Sequence, residues 1–178
     1  MVGEMMGALK KLILLAIIAG LVYAGANYFG LVGGAAEKIQ ALDARFGVGK
    51  ERLVPGTPEE LSEYKGELMK LQPRGAAEKS LVDLKLELAE MQENMNMLGG
   101  DLSQIDFDSP NCSFSGPVFS AKSAAACALE SAQNSVQMSR SLKAPEGFEY
   151  LKGADFESLM QAVVDSLNSA RQLLDSTC

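Results

Sequence analysis

LILLAIIAGLVYAGANYFGLVGGAA, residues 12–36, is a stretch of 25 positions without a charged residue. At about 1.5 Å per residue, a helix over residues 12–29 would be roughly 27 Å long, close to the thickness of a bilayer's hydrocarbon core. Lysines precede the stretch, and aromatic rings, which favour the membrane interface, lie near its end. These flanking residues are Lys10, Lys11, Tyr23, Tyr28 and Phe29. The stretch therefore predicts a single transmembrane helix or signal anchor, preceded by a short cytoplasmic tail at residues 1–11.

The same stretch also resembles a signal peptide. Ala24-Gly25-Ala26 has the small-x-small form of a cleavage site, and cleavage after Ala26 would release a soluble secreted helical protein. The apolar character continues through Leu31 and Val32, beyond a normal signal-peptide core. We therefore expect the segment to be retained as an anchor.

Small residues recur every four positions along the predicted span, at Ala16, Gly20 and Ala24. This spacing lets two helices approach closely within lipid. The three residues are therefore candidates for membrane-helix packing, although small residues are common in membrane spans in general.

Two opposing signals bear on the orientation of the span. Positive residues lie on both flanks, and the larger number after the span favours the reverse topology by the positive-inside rule. A short basic segment before a long apolar run, however, usually directs export of the chain on its C-terminal side. We therefore expect a single-pass protein of the cell membrane whose C-terminal domain is extracytoplasmic.

Charge and composition exclude several kinds of chemistry. Residues 55–178 carry ten Lys or Arg against nineteen Asp or Glu, and an acidic domain is repelled by the phosphates of nucleic acid. The sequence has no histidine, which removes imidazole bases, His-activated nucleophiles and His-ligated metals or haems. We expect no enzyme, no cofactor and no nucleic-acid partner.

The remainder predicts an all-α domain. Residues 37–56 are predicted as a stalk and linker, and residues 57–178 as an antiparallel bundle of about four helices. Thr57 as cap and Pro58 at the first position are typical of a helix start. Two helices carry long apolar seams with steps of three and four residues. The first seam is Leu81, Leu84, Leu88, Met91, Met95 and Leu98, and the second is Phe156, Met160, Val163, Leu167, Ala170 and Leu174.

Three stretches resemble ligand sites but depart from the required patterns. Gly47-Val48-Gly49-Lys50 resembles the end of a phosphate loop, but Glu51 replaces the residue that should bind magnesium. The acidic loop with Asp101, Asp106 and Asp108 fails the EF-hand pattern, because prolines occupy a ligand position and the closing position. Met91, Met95 and Met97 could hold Cu(I), but two of them belong to the apolar seam. We therefore predict no metal site.

The three cysteines are widely spaced, which argues against zinc and favours a disulfide in an exported domain. If the last two helices form a hairpin, Cys178 lies at the same end as the loop that carries Cys112. We therefore favour Cys112–Cys178, with Cys112–Cys127 as the alternative. Asn111-Cys112-Ser113 fits the N-glycosylation pattern, which makes Asn111 a candidate acceptor.

These observations predict a membrane-anchored, extracytoplasmic helical bundle with a structural, adaptor or protein-interaction role. The expected partners are the lipid bilayer and either further copies of the chain or another membrane or cell-surface protein. The alternatives are a receptor or solute-binding ectodomain that works with a membrane partner, and the secreted protein that cleavage would produce.

Overall fold

The computed structural model describes residues 34–178, and this part of the chain contains five α-helices, one short 3-10 helix and no strand. The all-α prediction is confirmed for these residues. Residues Ala35–Cys178 form one compact unit. The helices are α1 (Ala35–Phe46), α2 (Pro58–Met69), α3 (Ala76–Leu102), α4 (Pro117–Ser141) and α5 (Ala154–Thr177), and the 3-10 helix spans Glu149–Leu151.

The start of α2 forms as its sequence predicts. The Thr57 hydroxyl accepts a hydrogen bond from the backbone N–H of Glu60 at 3.3 Å, and Pro58 occupies the first turn. A threonine cap of this kind stabilises a helix by about 1 kcal/mol relative to alanine. The helix α2 that starts at this cap lies beside the C-terminal half of α3, where Lys65 pairs with Glu93 at 2.7 Å.

The largest interface joins α3 to α4, and the next largest joins α4 to α5. On α4 the inner face is built from small side chains, because Ala121, Ala125 and Ala132 are fully buried. Alanines let neighbouring helices approach closely, near the lower end of the 8–10 Å range of axial distances. The buried seams of α3 and α5, centred on Leu88 and Leu167, pack against this central helix.

The segment predicted as a stalk and linker, residues 37–56, begins instead with a helix of the bundle. Along α1, Ile39 is fully buried and Phe46 is nearly so, and the helix contacts both α2 and α3. Gly47 ends α1 with a φ of +63°, a conformation that favours glycine. The physical reason for the difference is that α1 is amphipathic, so its apolar stripe is buried against α3.

One predicted helix end also differs. A Gly99-Gly100 pair in the sequence predicts the end of α3, but the helix continues through Leu102. Glycine costs about 1 kcal/mol in a helix interior, a penalty that packing can override. Leu98 is 6% exposed and anchors this last part of the helix in the core.

The predicted membrane span, its packing residues Ala16, Gly20 and Ala24, and the possible cleavage site at Ala26 lie outside the described residues. Within residues 34–178, no helix is both long enough and apolar enough to cross a membrane.

Cys112 and Cys178 form a disulfide, which confirms the favoured pairing, and Cys127 is an exposed free thiol. The bond joins the segment after α3 to the end of α5 across 66 residues. In the chain-entropy model, closing a loop of this length stabilises the fold by about 4 kcal/mol. It also fixes the C-terminal ends of α3 and α5 at the same end of the bundle.

Candidate binding groove and buried polar cluster

An apolar groove of about 420 Å³ lies between α3 and α5. Its floor includes Leu98 and Leu167, which are almost completely buried, and its walls carry side chains that stay partly or largely exposed. The described residues that line it are Met95, Leu98, Gly99, Leu102, Leu159, Ala162, Val163, Ser166, Leu167 and Ala170. None of these described lining residues is charged.

Two large apolar side chains of α5 are exposed. Leu159 in the groove is 45% exposed, and Leu173, three residues beyond Ala170 at the end of the groove, is 51% exposed. The main described neighbours of α5 are α4 and the 3-10 helix, which contact its other side. Exposed apolar side chains beside an apolar groove are typical of a protein-interaction site.

A second feature, a buried polar cluster, lies where α1 packs on α3. The Nζ atom of Lys85 is 2.7 Å from Oδ2 of Asp43, and the Tyr64 hydroxyl donates to Oδ1 of Asp43 at 2.5 Å. Lys85 also donates to the Tyr150 hydroxyl at 3.0 Å. Lys85 and Tyr64 are fully buried, and Asp43 is 4% exposed. These four residues, called here the polar cluster, join α1, α2, α3 and the 3-10 helix.

Burial dominates the electrostatics of the cluster. Loss of hydration lowers the pKa of Lys85, and the neighbouring Asp43 carboxylate opposes this shift. Burial, together with the negative charge of Asp43, raises the pKa of Tyr64 and the pKa of Tyr150 above their usual range. The ammonium of Lys85 also lies 5.7 Å from the centre of the Phe148 ring, which stabilises its charged form.

The cluster has the character of a structural element. Both Asp43 oxygens accept hydrogen bonds. Lys85 donates to two oxygen atoms, and its ammonium group lies near the rings of Phe148 and Tyr150. A buried ion pair of this kind adds little net stability but penalises any arrangement that leaves one charge unpaired. It therefore fixes the register of α1 on α3. Neither Asp43 nor Lys85 lines the groove or the cavity between α2 and α3.

A third feature is a cavity of about 300 Å³ between α2 and α3. It is lined in part by Leu61, Lys65 and Asn96. The Nδ2 atom of Asn96 is buried without a hydrogen-bond partner among the described residues. An unpaired buried amide costs about 1–3 kcal/mol, so this donor favours a bound acceptor such as water or a carbonyl oxygen.

The residues of the three ligand-like stretches differ in how far the fold buries or binds them. In the glycine turn, the N–H of Val48 donates to the carbonyl of Asp43 at 2.8 Å. Asp101, predicted in the acidic loop, lies instead in the last turn of α3 and accepts a hydrogen bond from Ser120 at 2.6 Å, whereas Asp106 and Asp108 are exposed. Of the three methionines, Met91 is buried and Met97 is largely exposed, and Met95 lines the groove. Among residues 34–178, no group of three or more His, Cys, Asp or Glu side chains is arranged to hold a metal ion.

Asn111 is exposed on the loop between α3 and α4. Its Oδ1 accepts a hydrogen bond from the N–H of Ser113 at 3.1 Å, and its neighbour Cys112 is in the disulfide. Glycosylation at Asn111 stays a prediction.

Sequence reasoning missed the polar cluster, although a signal was present. Asp43 lies four residues after Ile39 and three before Phe46, and Lys85 lies four after Leu81 and three before Leu88. Each charge therefore falls on an apolar seam at the spacing of a core residue. Two opposite charges at such positions predict a buried pair.

Comparison of the chain with protein-family models, curated proteins and solved structures found no match. The fold and the groove alone define the class of this protein. It is a helical bundle with an exposed apolar groove.

Proposed function

We propose that this protein is a membrane-anchored, extracytoplasmic interaction module whose α3–α5 groove binds a helix. The observation that carries the proposal is the groove itself, apolar along its described lining and flanked by the exposed Leu159. Helix-in-groove binding is a common mode of peptide recognition, in which an amphipathic helix lays its apolar face into such a surface.

The shape of the groove suits a helix. α4 returns the chain between α3 and α5, so these two helices run in the same direction with the groove between them. The α5 wall from Leu159 to Ala170 is about 16 Å long, which matches three helical turns. A bound helix would form a four-helix arrangement with α3, α4 and α5.

The cellular location is part of the proposal. The apolar stretch at residues 12–33 comes directly before α1 in the sequence and supports an anchor. The Cys112–Cys178 disulfide supports an oxidising compartment. Cys127 provides a native reporter for this location, because its thiol is exposed.

Two experiments on the full chain in its own cells test the proposal. A membrane-impermeant maleimide should label Cys127 in intact cells, whereas labelling only after lysis would contradict the extracytoplasmic location. A photo-crosslinking amino acid at position 159 should trap a protein partner, and the same group at position 123, an exposed serine of α4, should not. Equal capture at both positions would contradict a role for the groove.

A second candidate function, solute binding, has one observation in its favour. The unpaired Nδ2 of Asn96 lies at the cavity between α2 and α3, where a small molecule with a carbonyl group could accept its hydrogen bond. If the cavity binds such a molecule, Asn96→Leu should abolish the thermal stabilisation given by simple amides such as N-methylacetamide. If the cavity holds only water, amides should give no stabilisation with either chain.

A further inference from the structure

The exposed stripe of α5 is symmetric about Ser166. Leu159 and Leu173 lie seven residues before and after it, and Ala162 and Ala170 lie four residues before and after it. These five residues are called here the α5 stripe. Successive members are three or four residues apart, so all five lie on one face of the helix. All are exposed except Ala170, which is half-buried.

We propose that the groove is covered by α5 of a second copy of this chain, antiparallel and related by a two-fold axis near Ser166. This inference rests on the proposed function and names the partner of the same groove. In a two-fold interface, residue i meets residue j and residue j meets residue i. The stripe meets this condition, because reversing the helix about Ser166 places Leu159 of each copy against Leu173 of the other.

The centre of the stripe permits a close helix pair. Ala162, Ser166 and Ala170 are small residues four positions apart, so two helix backbones can approach to the short end of the usual 8–10 Å range. Leu159 and Leu173 then close the two ends of the contact. Leu159, Ala162, Ser166 and Ala170 also line the groove, so an α5 helix paired through the stripe lies along it.

The distribution of charge favours a second copy of this chain as the occupant of the groove, rather than a basic helix that binds through its charge. Residues 34–178 carry 14 Lys or Arg and 22 Asp or Glu, so two domains repel each other over most of their surfaces. The described lining of the groove has no charge, which makes it a face where two copies can meet without opposing carboxylates. For the same reason, a basic helix would find no carboxylate in the lining to pair with.

Disulfide trapping of the full chain in membranes tests the arrangement. With Cys127→Ser in every variant, Ser166→Cys should join two chains on mild oxidation and give a species of twice the 18.9 kDa mass. Two chains that carry Leu159→Cys and Leu173→Cys should crosslink when they are expressed together, and neither should crosslink alone. Ser123→Cys, at an exposed position of α4, is the control and should stay monomeric.

A charge in the interface gives an independent measurement. Leu159→Glu should convert a dimer to a monomer in sedimentation of the detergent-solubilised chain, whereas Asn168→Glu adds the same charge on another face of α5 and should leave the dimer intact. Because the domains are acidic, dimerisation of the unmodified chain should tighten as salt rises.

The possible failures are distinguishable. If Ser166→Cys stays monomeric while a crosslinker at position 159 captures a different protein, the second copy is wrong and the groove remains an interaction site. If Leu159→Cys crosslinks to itself and the mixed pair does not, the antiparallel arrangement is wrong. If no variant crosslinks and position 159 captures no protein, both the inference and the proposed function are wrong.

Discussion

The two halves of α3 differ in what covers them. The N-terminal half is closed by α1, and the Asp43–Lys85 pair is buried at that contact. The C-terminal half borders the open groove at Met95 and Leu98, and Met95 lies ten residues, or about 15 Å, beyond Lys85. The two halves share one apolar seam, so periodicity alone does not tell which part of a seam a protein covers and which part it presents to others.

The closed half is also the more specific of the two. An apolar groove accepts any helix of suitable shape, because dispersion and hydrophobic contacts are weakly directional. The buried pair accepts only the register in which Asp43 reaches Lys85 and both tyrosines reach their partners. We infer that the cluster fixes α1, whereas the groove selects its helix by shape and by small residues.

The largest effect is expected from breaking the pair in the closed half. Asp43→Ala leaves Lys85 buried without its carboxylate, and the free energy of unfolding should fall by about 3–5 kcal/mol. Urea unfolding of residues 34–178 measures this change. Adding Lys85→Met should restore most of the loss, since two uncharged residues leave no unpaired charge.

The control for this variant is Glu37→Ala, which removes an exposed carboxylate from the same helix. It should change the free energy of unfolding by no more than about 0.5 kcal/mol. Equal losses for Asp43→Ala and Glu37→Ala would contradict the role given to the polar cluster.

Truncating core leucines compares the closed core with the border of the open groove. Leu88 is fully buried, so Leu88→Ala should cost about 2–5 kcal/mol. Leu167→Ala should cost less, because Leu167 borders the groove and water can enter the space that truncation leaves. The same urea unfolding measures both changes, and an equal cost would indicate that the groove is closed in solution.

The matched controls are Glu90→Ala on α3 and Asn168→Ala on α5, both at exposed positions. Each should change stability by less than about 0.5 kcal/mol. Glu87 is a poor control on α3, because its carboxylate accepts a hydrogen bond from Asn134 at 3.1 Å.

Much of the fold can be predicted from the sequence. The seams centred on Leu88 and Leu167 identify two of the helices, because apolar residues at steps of three and four lie on one face of a helix. The Thr57 cap locates a third helix, and hairpin geometry brings Cys112 to Cys178. The helices depend on local spacing, which can be read from a single sequence. The cysteine pairing follows once the last two helices are taken as a hairpin.

The missed parts depend on contacts between distant segments. Asp43 and Lys85 are 42 residues apart, and their positions on the seams indicate that each charge is buried without identifying its partner. The groove was missed for the opposite reason. Met95, Leu98, Val163 and Ala170 were correctly assigned to apolar seams, but only the packing of α4 between α3 and α5 reveals that part of each seam has no described neighbour.

A smaller effect is expected from alkaline titration of the closed half. The pKa of Tyr64 and the pKa of Tyr150 are raised above their ordinary value of 10.0, so above pH 10 the unfolded chain loses protons that the folded chain keeps. The free energy of unfolding should therefore fall as pH rises above 10, by up to about 1.4 kcal/mol per pH unit for each tyrosine.

Lys85 has the opposite sign. Its pKa is lowered by burial, so below its ordinary value of 10.5 the unfolded chain binds the proton more tightly, and stability rises with pH in that window. Urea unfolding of residues 34–178 between pH 8 and 11, with tyrosinate absorbance as a second signal, should separate the contribution of Lys85 from that of the two tyrosines. Tyr150→Phe should reduce the decline above pH 10. An unchanged decline would show that Tyr150 ionises normally in the folded chain.

The smallest effect on stability is expected at the open groove. Leu159 is 45% exposed, so Leu159→Ser removes a side chain that the isolated domain has only partly buried. A change at such a surface position typically stays within about 0.5 kcal/mol, compared with at least about 2 kcal/mol for Leu88→Ala. The same substitution should weaken the self-association of the full chain, because a polar side chain replaces the one that meets Leu173 of the other copy. Urea unfolding of residues 34–178 at low concentration, beside sedimentation of the full chain, separates the two roles. A large loss of stability in the monomer would mean that Leu159 is a core residue, and the distinction between a closed half and an open half would then be wrong.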